Sequence, residues 1–217
     1  MSISPSQQRR HEEKERRREE IIDAAEWIFQ RHGFDAATMD QVARRARVSR
    51  ALVYVYFKDK TALHAAICVR ALTLLRARFV AAVGEQSRGV DQVRAIGRAY
   101  MQFAADEPGY FQTLSRFEAH CVGEAEEDSP TKEIISVGQT VHEVTVSAIV
   151  QGMRDGSMRA DIENPLLVAI TLWGFTHGVV QIAHTKGEAI RAYGLDVDAL
   201  LDHALDLASR ALVTSRS

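Results

Sequence analysis

The chain has 217 residues, 46% of them hydrophobic and 26% charged, which suits one small and one larger globular domain. Its net charge of −2 argues against a protein that binds nucleic acid indiscriminately, although residues 1–60 hold 13 Lys and Arg against 10 Asp and Glu. Two cysteines, Cys68 and Cys121, form no disulfide framework and indicate the reducing cytoplasm.

Residues 1–16 are rich in Ser, Gln, Arg and Glu, and we expect a flexible arm there. Mixed charges are typical of a solvated segment, but the arginines of the arm also offer a contact to DNA. A stripe of apolar residues follows at helical spacing, and the pattern ends at Gly33. It predicts a first helix that packs on residues 38–57. The stripe consists of Ile21, Ile22, Ala25, Ile28 and Phe29.

Two short helical patterns joined by a tight turn occupy residues 38–57. Thr38 is a good N-cap, and Gln41 three residues later completes a capping box. Ser49 is a second N-cap, after which Val53 and Phe57 stand one turn apart as a buried pair. A connection this short makes the two helices cross steeply, which leaves the start of the second helix free to enter a major groove. The segment therefore predicts a DNA-reading helix-turn-helix.

The side chains expected to face DNA are of several kinds. Arg50 reaches a phosphate or a guanine edge, the tyrosines donate to phosphates, and Ala51 or Leu52 contacts a thymine methyl group. Two lysines add positive charge at the start of the next helix, for which Thr61 is the expected cap. The predicted DNA-binding residues are Thr38, Arg47, Ser49, Arg50, Ala51, Leu52, Tyr54, Tyr56, Lys58 and Lys60. A helical hairpin with a solvated basic face is the alternative.

Residues from about Arg17 to Ile67 resemble the N-terminal DNA-binding domain of the tetracycline-repressor (TetR) family of bacterial regulators. Arg47 departs from the family, which usually has Gly there, so it either adopts a left-handed conformation at about 1–2 kcal/mol or shifts the turn. Ala51 and Leu52 replace a Gly and a small polar residue, which makes base reading more methyl-directed. The residues that carry the resemblance are Gly33, Phe34, Thr38, Ala43, Val48, Ser49, Tyr54, Phe57 and Lys60.

The rest of the chain shows helical patterns and no persuasive strand alternation. We expect an all-α fold, with a three-helix N-terminal helix-turn-helix domain and a larger C-terminal helical domain for ligand binding and dimerisation. The predicted boundaries are an arm at 1–16, a DNA-binding domain at 17–62 and a C-terminal domain at 63–217. The acidic stretch 123–130 is expected to be a loop.

Residues 165–183 form a long stretch without Asp, Glu, Lys or Arg. A membrane helix needs about 20 apolar residues, so this stretch is nearly long enough. His177 and Gln181 within it, and Asp161 and Glu163 before it, argue against a membrane span. We therefore expect a fully buried helix and no membrane contact.

The last two predicted helices carry more apolar surface than one protomer needs. In the final one, Leu200, Leu201, Leu205 and Leu212 belong to one broad apolar face. We expect a homodimer formed through these two helices, with about 1,500 Å² or more buried in a four-helix interface. The resemblance implies the same dimer, because two reading heads need two-fold symmetry to engage a palindromic DNA operator.

Large or polar side chains interrupt the apolar helices of the larger domain, as they do in a ligand pocket. Aromatic residues of this kind are more often core, so both interpretations stay open for each. The resemblance implies a small-molecule effector that shifts the dimer away from its DNA-binding geometry, with repression as the default, and we expect no cofactor and no metal. The predicted ligand-binding residues are Phe103, Phe111, Phe117, His142, Trp173 and His177.

Other functional classes have less support. Glu143 follows His142, but no second His stands at zinc-binding spacing, and no phosphate loop or nucleophile elbow appears, so we do not expect an enzyme. A dimeric helical adaptor or corepressor with a decayed reading head is the stronger alternative, because Arg47, Ala51 and Leu52 depart from the family pattern. Selection of a palindrome from a DNA library separates a regulator from an adaptor.

Overall fold

A computed structural model describes residues 4–120 and 130–213 of the chain. These residues form α-helices and contain no strand, which confirms the all-α prediction. The helices are α1 (Pro5–Ala36), α2 (Met39–Ala46), α3 (Arg50–Tyr56), α4 (Lys60–Gly84), α5 (Gly89–Asp106), α6 (Pro108–His120), α7 (Pro130–Arg154), α8 (Pro165–Ala192) and α9 (Val197–Leu212).

The chain divides into two compact units. Unit 1 comprises Met1–Arg70 and Gln112–Ile134, and unit 2 comprises Ala71–Phe111 and Ile135–Ser217. The division falls within α4, eight residues after the predicted end of the DNA-binding domain at residue 62, and a later segment of the chain joins unit 1. Most of the predicted acidic loop, and Cys121, lie outside the described residues.

Helix α1 begins far earlier than the sequence pattern predicted. Residues 5–16, expected to form a flexible arm, are helical. Ser4 caps the helix by accepting from the Gln7 amide, and Pro5 occupies its first turn. Arg16 pairs with Glu13 at 2.6 Å and with Glu20 at 2.7 Å, the spacing at which side chains meet on a helix surface. These local interactions make the segment helical although it buries no side chain.

Unit 1 is built on the apolar stripe of α1. Its five predicted residues are all buried, together with Leu63 and Ile67 of α4. On the other side of α1, the Arg70 guanidinium pairs with Glu19, Asp23 and Glu26, the last at 3.0 Å. α1 and α4 are thus joined by an apolar contact and by a cluster of ion pairs.

Unit 2 has its closest helix contact where α5 begins. A Cβ built on Gly89 would lie 2.0 Å from the main-chain nitrogen of Gly152 in α7. The amide of Gly89 donates to the Asp155 carboxylate at 2.8 Å, and that carboxylate also accepts from the Ser157 amide at 2.9 Å. Hydrogen bonds with Ser157 and Gly89 lower the pKa of Asp155 to about 2. The ionised carboxylate therefore holds α5 against the end of α7.

Helix α8 is less covered than the sequence suggested. The sequence predicted that α8 would be fully buried. Its residues Leu166, Leu167, Ile170 and Ile182 are exposed instead, and only 17% of its most apolar 18-residue segment is buried. By length and composition alone the helix is able to cross a membrane. Its apolar residues occur all around the axis, whereas α5 and α9 of the same unit cover one side. The exposed apolar side chains of α8 agree with the prediction that the last two helices carry more apolar surface than one protomer covers.

The contact between α5 and α7 predicts a difference between two glycines. Gly89→Ala places a methyl group against main chain that has little room to move, and we expect it to lower the free energy of unfolding by about 1–3 kcal/mol. Gly84→Ala would place its methyl group where no other atom lies within 4 Å, so it should leave stability unchanged or raise it by up to about 1 kcal/mol. Chemical denaturation of both variants measures the difference, and equal values would contradict the close approach.

Candidate nucleic-acid interface

The helix-turn-helix follows the local rules that its sequence predicted. Thr38 caps α2, since its hydroxyl oxygen accepts from the Gln41 amide at 3.3 Å while the Gln41 side chain accepts from the Thr38 amide at 2.8 Å. Ser49 caps α3 by accepting from the Leu52 amide at 3.2 Å. Val53 and Phe57 are both buried, as expected. The two capped helices and the turn between them are thus confirmed.

Arg47 resolves the two alternatives left open for the turn. Its φ of 58° and ψ of 39° are left-handed, and it is the single non-glycine residue with positive φ among those described. The Arg47 amide donates to the carbonyls that end α2, and the Val48 amide donates to Ala43 at 3.0 Å. The turn keeps its geometry and Arg47 takes the strained conformation usually given to glycine. Its side chain is exposed.

The outward face of α3 combines apolar and polar side chains. Arg50, Ala51 and Tyr54 are exposed, with Tyr54 at 42%, while Leu52 and Tyr56 are half-buried. Val55 is more exposed than Tyr54, at 74%, although it is absent from the predicted contacts. The signal was available, because Val55 stands two residues from buried Val53 and so on the opposite side of the helix. An exposed valine here can contact a thymine methyl group.

Arg50 is positioned by its neighbours at the start of α3. Its Nε lies 3.2 Å from the Asp40 carboxylate, and its guanidinium lies 5.5 Å from the centre of the Tyr54 ring. The hydrogen bond with Tyr54 and the charge of Asp40 raise the pKa of this guanidinium. Arg50 is therefore charged and oriented at the helix start, and a phosphate would compete with Asp40 for it.

Lys60 is engaged inside unit 1. Its Nζ donates to the carbonyls of Phe34 at 2.7 Å, Asp35 at 3.1 Å and Ala37 at 3.1 Å, which uses all three ammonium hydrogens. The geometry assigns Lys60 to the junction of α1 and α2, whereas the sequence assigned it to DNA. The next helix is also capped differently, because Asp59 and not Thr61 accepts from the Ala62 amide, at 2.8 Å.

A second group of predicted residues meets in unit 2, where we name Phe111, His142, Trp173 and His177 the aromatic cluster. Trp173 lies between the two imidazoles, with ring centres 5.7 Å from His142 and 5.9 Å from His177. His177 also lies 5.3 Å from Phe111 and accepts from or donates to the Tyr100 hydroxyl at 2.7 Å. Burial lowers the pKa of both histidines, which favours their neutral forms.

Two residues predicted to bind ligand lie outside the aromatic cluster, and one residue near the cluster was not predicted. Phe103 is fully buried, and the Arg78 guanidinium lies 5.6 Å from the centre of its ring. Phe117 belongs to unit 1. His184 was missed, although it stands two turns after His177 on the same face of α8, and its ring lies 6.2 Å from that of Phe111. Among the described residues, no group of three or more His, Cys, Asp or Glu could hold a metal ion.

Family models match both parts of the chain. Residues 21–67 match the bacterial regulatory proteins of the tetR family, and residues 93–208 match the tetracyclin repressor-like C-terminal domain. The second match alone covers more than half of the 217 residues. The chain belongs to the TetR family. Its helix-turn-helix lies within the segment that matches these bacterial regulatory proteins.

The curated relatives that match part of the chain are named as HTH-type transcriptional regulators. An uncharacterized HTH-type transcriptional regulator of Mycobacterium tuberculosis is 33% identical over 103 residues, which are 47% of this chain and 44% of the relative. The HTH-type regulator YobS of Bacillus subtilis is 27% identical over 92 residues, 42% of this chain and 48% of YobS. The chain thus spans less than half the length of the curated relatives it matches.

Solved structures share the fold over most of the chain. A protein of unknown function from Rhodococcus sp. RHA1 has a TM-score of 0.73 at 23% identity, covering 91% of this chain and 95% of that one. FadR from Bacillus subtilis, in complex with stearoyl-CoA, has 0.67 at 15% identity, covering 89% and 98%. SmeT, the repressor of a Stenotrophomonas maltophilia multidrug efflux pump, has 0.64 at 21% identity, covering 91% of each. At these identities the likeness establishes the TetR fold alone.

The positions of the two lysines predict opposite phenotypes. Lys60→Met keeps the aliphatic chain but removes three charge-assisted hydrogen bonds, so we expect the free energy of unfolding to fall by about 1.5–3 kcal/mol. Lys58→Met, at an exposed position, should change it by less than about 0.5 kcal/mol and should instead weaken binding to DNA. Denaturation and DNA titration of each variant test this, and the reverse ranking would contradict the assignment of Lys60.

The left-handed turn predicts that Arg47→Gly stabilises the protein. Relief of about 1–2 kcal/mol of strain exceeds the added freedom of the unfolded chain, about 0.4–1 kcal/mol, so thermal unfolding should occur at a higher temperature. If Arg47 also contacts a phosphate, the slope of log affinity against log salt should fall by about 0.9 in this variant and not in Arg47→Lys. A lower unfolding temperature for Arg47→Gly would contradict the strain.

Proposed function

We propose that the protein is a ligand-responsive transcriptional repressor in the cytoplasm. It binds a palindromic operator as a homodimer and is released by a small-molecule effector. The observation that carries this proposal is the capped helix α3, which turns Arg50, Ala51, Tyr54 and Val55 outward from a buried Val53. The family assignment supports a DNA-binding regulator.

The composition of the outward face indicates how the operator would be read. Methyl-bearing side chains, Ala51 and Val55, suit the C5-methyl group that thymine presents in the major groove. Arg50 supplies the one long cation of the helix and suits a guanine edge or a phosphate. We infer a half-site in which contacts to thymine methyl groups contribute most of the specificity.

The exposed apolar side chains of α8 and α9 support a homodimer. Leu166, Leu167, Ile170 and Ile182 on α8 are joined by Leu207 on α9, all of them exposed in the single chain. A stable interface buries about 1,200–2,000 Å² in total, and helix faces of this kind provide such a surface. The exposed side of α8 could be covered by a second copy of the chain or by a lipid bilayer. A second copy is the better occupant, because the target of the regulator is DNA. Two-fold symmetry then matches a palindromic operator.

The aromatic cluster supports an apolar effector with few polar groups. Neutral imidazoles at His142 and His177, beside Trp173 and Phe111, suit planar or aliphatic surfaces and a single hydrogen-bonding group. FadR, a structural neighbour, is solved in complex with stearoyl-CoA, whose acyl chain is apolar, and SmeT is the repressor of a multidrug efflux pump. We propose no cofactor in addition to the effector.

Helix α6 offers a route from effector to DNA. It carries Phe111 of the aromatic cluster at one end, while Arg116 one and a half turns later pairs with Asp35 at 2.8 Å in unit 1. Ligand binding against Phe111 would act on the same helix that holds the end of α1. The effector then works by favouring one of two dimer geometries over the other.

Selection of DNA from a random library by the purified protein tests the proposal. We expect an enriched palindrome, and binding that falls as salt rises because phosphates are contacted. Val55→Ser should relax selection at one base pair of each half-site, by about 1–3 kcal/mol. Val80→Ser, the same change at an exposed position of α4 in unit 2, should leave selection unaltered.

The same selection includes the outcome that overturns the proposal. A folded, dimeric protein that enriches no sequence at low salt, with and without extracts of small molecules, would exclude an operator-binding repressor. That result would favour the helical adaptor, whose reading head has decayed.

A further inference from the structure

The first four turns of α1 project beyond the part of the chain that forms a core. Residues 5–20 precede the family match, which starts at residue 21, and the first buried side chain is Ile21. Residues 5–16 are all exposed. We name residues 5–20 the α1 extension. It is a capped helix whose first twelve residues are exposed and whose last residues contact unit 1 through Arg18 and Glu19.

Three basic residues of the α1 extension lie in one row along the helix. Arg10, Lys14 and Arg18 recur every four residues, in the row that continues to buried Ile22. We name these three residues the basic stripe. At about 100° per residue, each glutamate of the extension lies at least about 100° away from Lys14 around the helix. These glutamates are Glu12, Glu13, Glu15, Glu19 and Glu20.

The basic stripe keeps unneutralised charge. Arg16 and Arg17 make ion pairs with Glu13 and Glu20, and Arg18 of the stripe pairs with Glu19 at 3.3 Å. Arg10 and Lys14 make no ion pair with any residue in 4–120 or 130–213. The extension has six Lys and Arg against five Glu, so its net charge is nearly zero. The basic surface therefore comes from where the cations lie on the helix and not from the total charge. Two free cations on one face suit an anionic partner.

The stripe starts beside the recognition helix. The Arg18 guanidinium lies 5.5 Å from the centre of the ring of Phe57, the residue that caps the end of α3. Lys14 and Arg10 follow at about 6 and 12 Å further along the axis of α1. In homeodomains, which also have three helices, the segment before the first helix reaches the DNA next to the site read by the third helix.

The occupant that fits is the DNA backbone and not a lipid surface. Apart from Pro5, residues 5–20 are all polar or charged, so the helix has no apolar face to insert between lipids. Phosphates need only cations at intervals, which Arg10 and Lys14 supply. We propose that the α1 extension is a second DNA-contact element, whose basic stripe docks on phosphates flanking the half-site read by α3. This inference rests on the proposed function of α3.

The test compares neighbouring arginines on different faces. Arg10→Gln removes a stripe charge, and Arg9→Gln removes an equally exposed arginine, also without an ion pair among the described residues, about 100° away. The double variant R10Q/K14Q removes both free stripe charges. Each is titrated with the selected operator on two duplexes, one trimmed at the outer edges of the half-sites and one with ten further base pairs on each side. Circular dichroism checks that the helix persists.

On the long duplex we expect R10Q/K14Q to lower the slope of log affinity against log salt by about 1.8, from two lost phosphate contacts. On the trimmed duplex it should bind as the wild type does. Arg10→Gln should lower the slope by about half as much, and Arg9→Gln should not change it. The selected DNA sequence should be the same for all three variants.

Equal behaviour of the Arg9 and Arg10 variants, or an equal loss on both duplexes, would overturn the flanking contact while leaving α3 as the reading helix. A wild-type protein that selects no DNA would overturn the proposed function and this inference together. Retention of wild-type protein on vesicles of anionic lipid, lost in R10Q/K14Q with DNA binding unchanged, would assign the stripe to a membrane and overturn it as well.

Discussion

Lys60 donates to the carbonyls of Phe34, Asp35 and Ala37, and its ammonium lies 4.5 Å from the centre of the Phe34 ring. These carbonyls stand where α1 ends and the cap of α2 begins. Arg116 lies over the same ring at 4.6 Å and pairs with Asp35. One junction therefore sets the angle at which the helix-turn-helix leaves α1 and links it to α4 and α6. The outward direction of α3 depends on it.

Helix α3, which this junction positions, carries a single charged residue, Arg50. Ala51 and Val55 are exposed methyl-bearing residues, and the guanidinium of Arg50 is already held by Asp40 and Tyr54. Specificity from methyl contacts combined with few phosphate contacts would leave affinity low. A basic stripe on the α1 extension supplies the missing electrostatic attraction without changing the bases that are read.

In unit 2, some helix surfaces pack within the chain and others remain exposed for a second copy. Gly89 and Gly152 bring α5 and α7 into main-chain contact, and the Asp155 carboxylate holds them there. α8 instead leaves one side open, with Leu167 62% exposed. A helix that is apolar all round is stable only when both sides are covered, and one chain covers one of them. The same helix carries Trp173 and His177, so the effector and the partner copy would act on one element.

Local chemistry could be read from the sequence alone. Thr38, Ser49 and the buried pair of Val53 and Phe57 act through residues three or four positions away, so spacing was enough to place α2, the turn and α3. The alternatives for Arg47 were also local, and the left-handed one holds. Membership of the TetR family followed from these positions, and the family matches bear it out.

Contacts between distant parts of the chain were decided by the tertiary structure. Lys60 lies 23 to 26 residues from its acceptors, so nothing in its spacing distinguishes an internal cap from a phosphate contact. The α1 extension has the composition of a flexible arm, and only its cap and ion pairs make it helical. The sequence by itself determined the helices and the DNA-reading motif, because those depend on neighbours along the chain. Which side chains remain free to meet DNA, effector or a second copy depends on what packs across from them, and that only the fold decides.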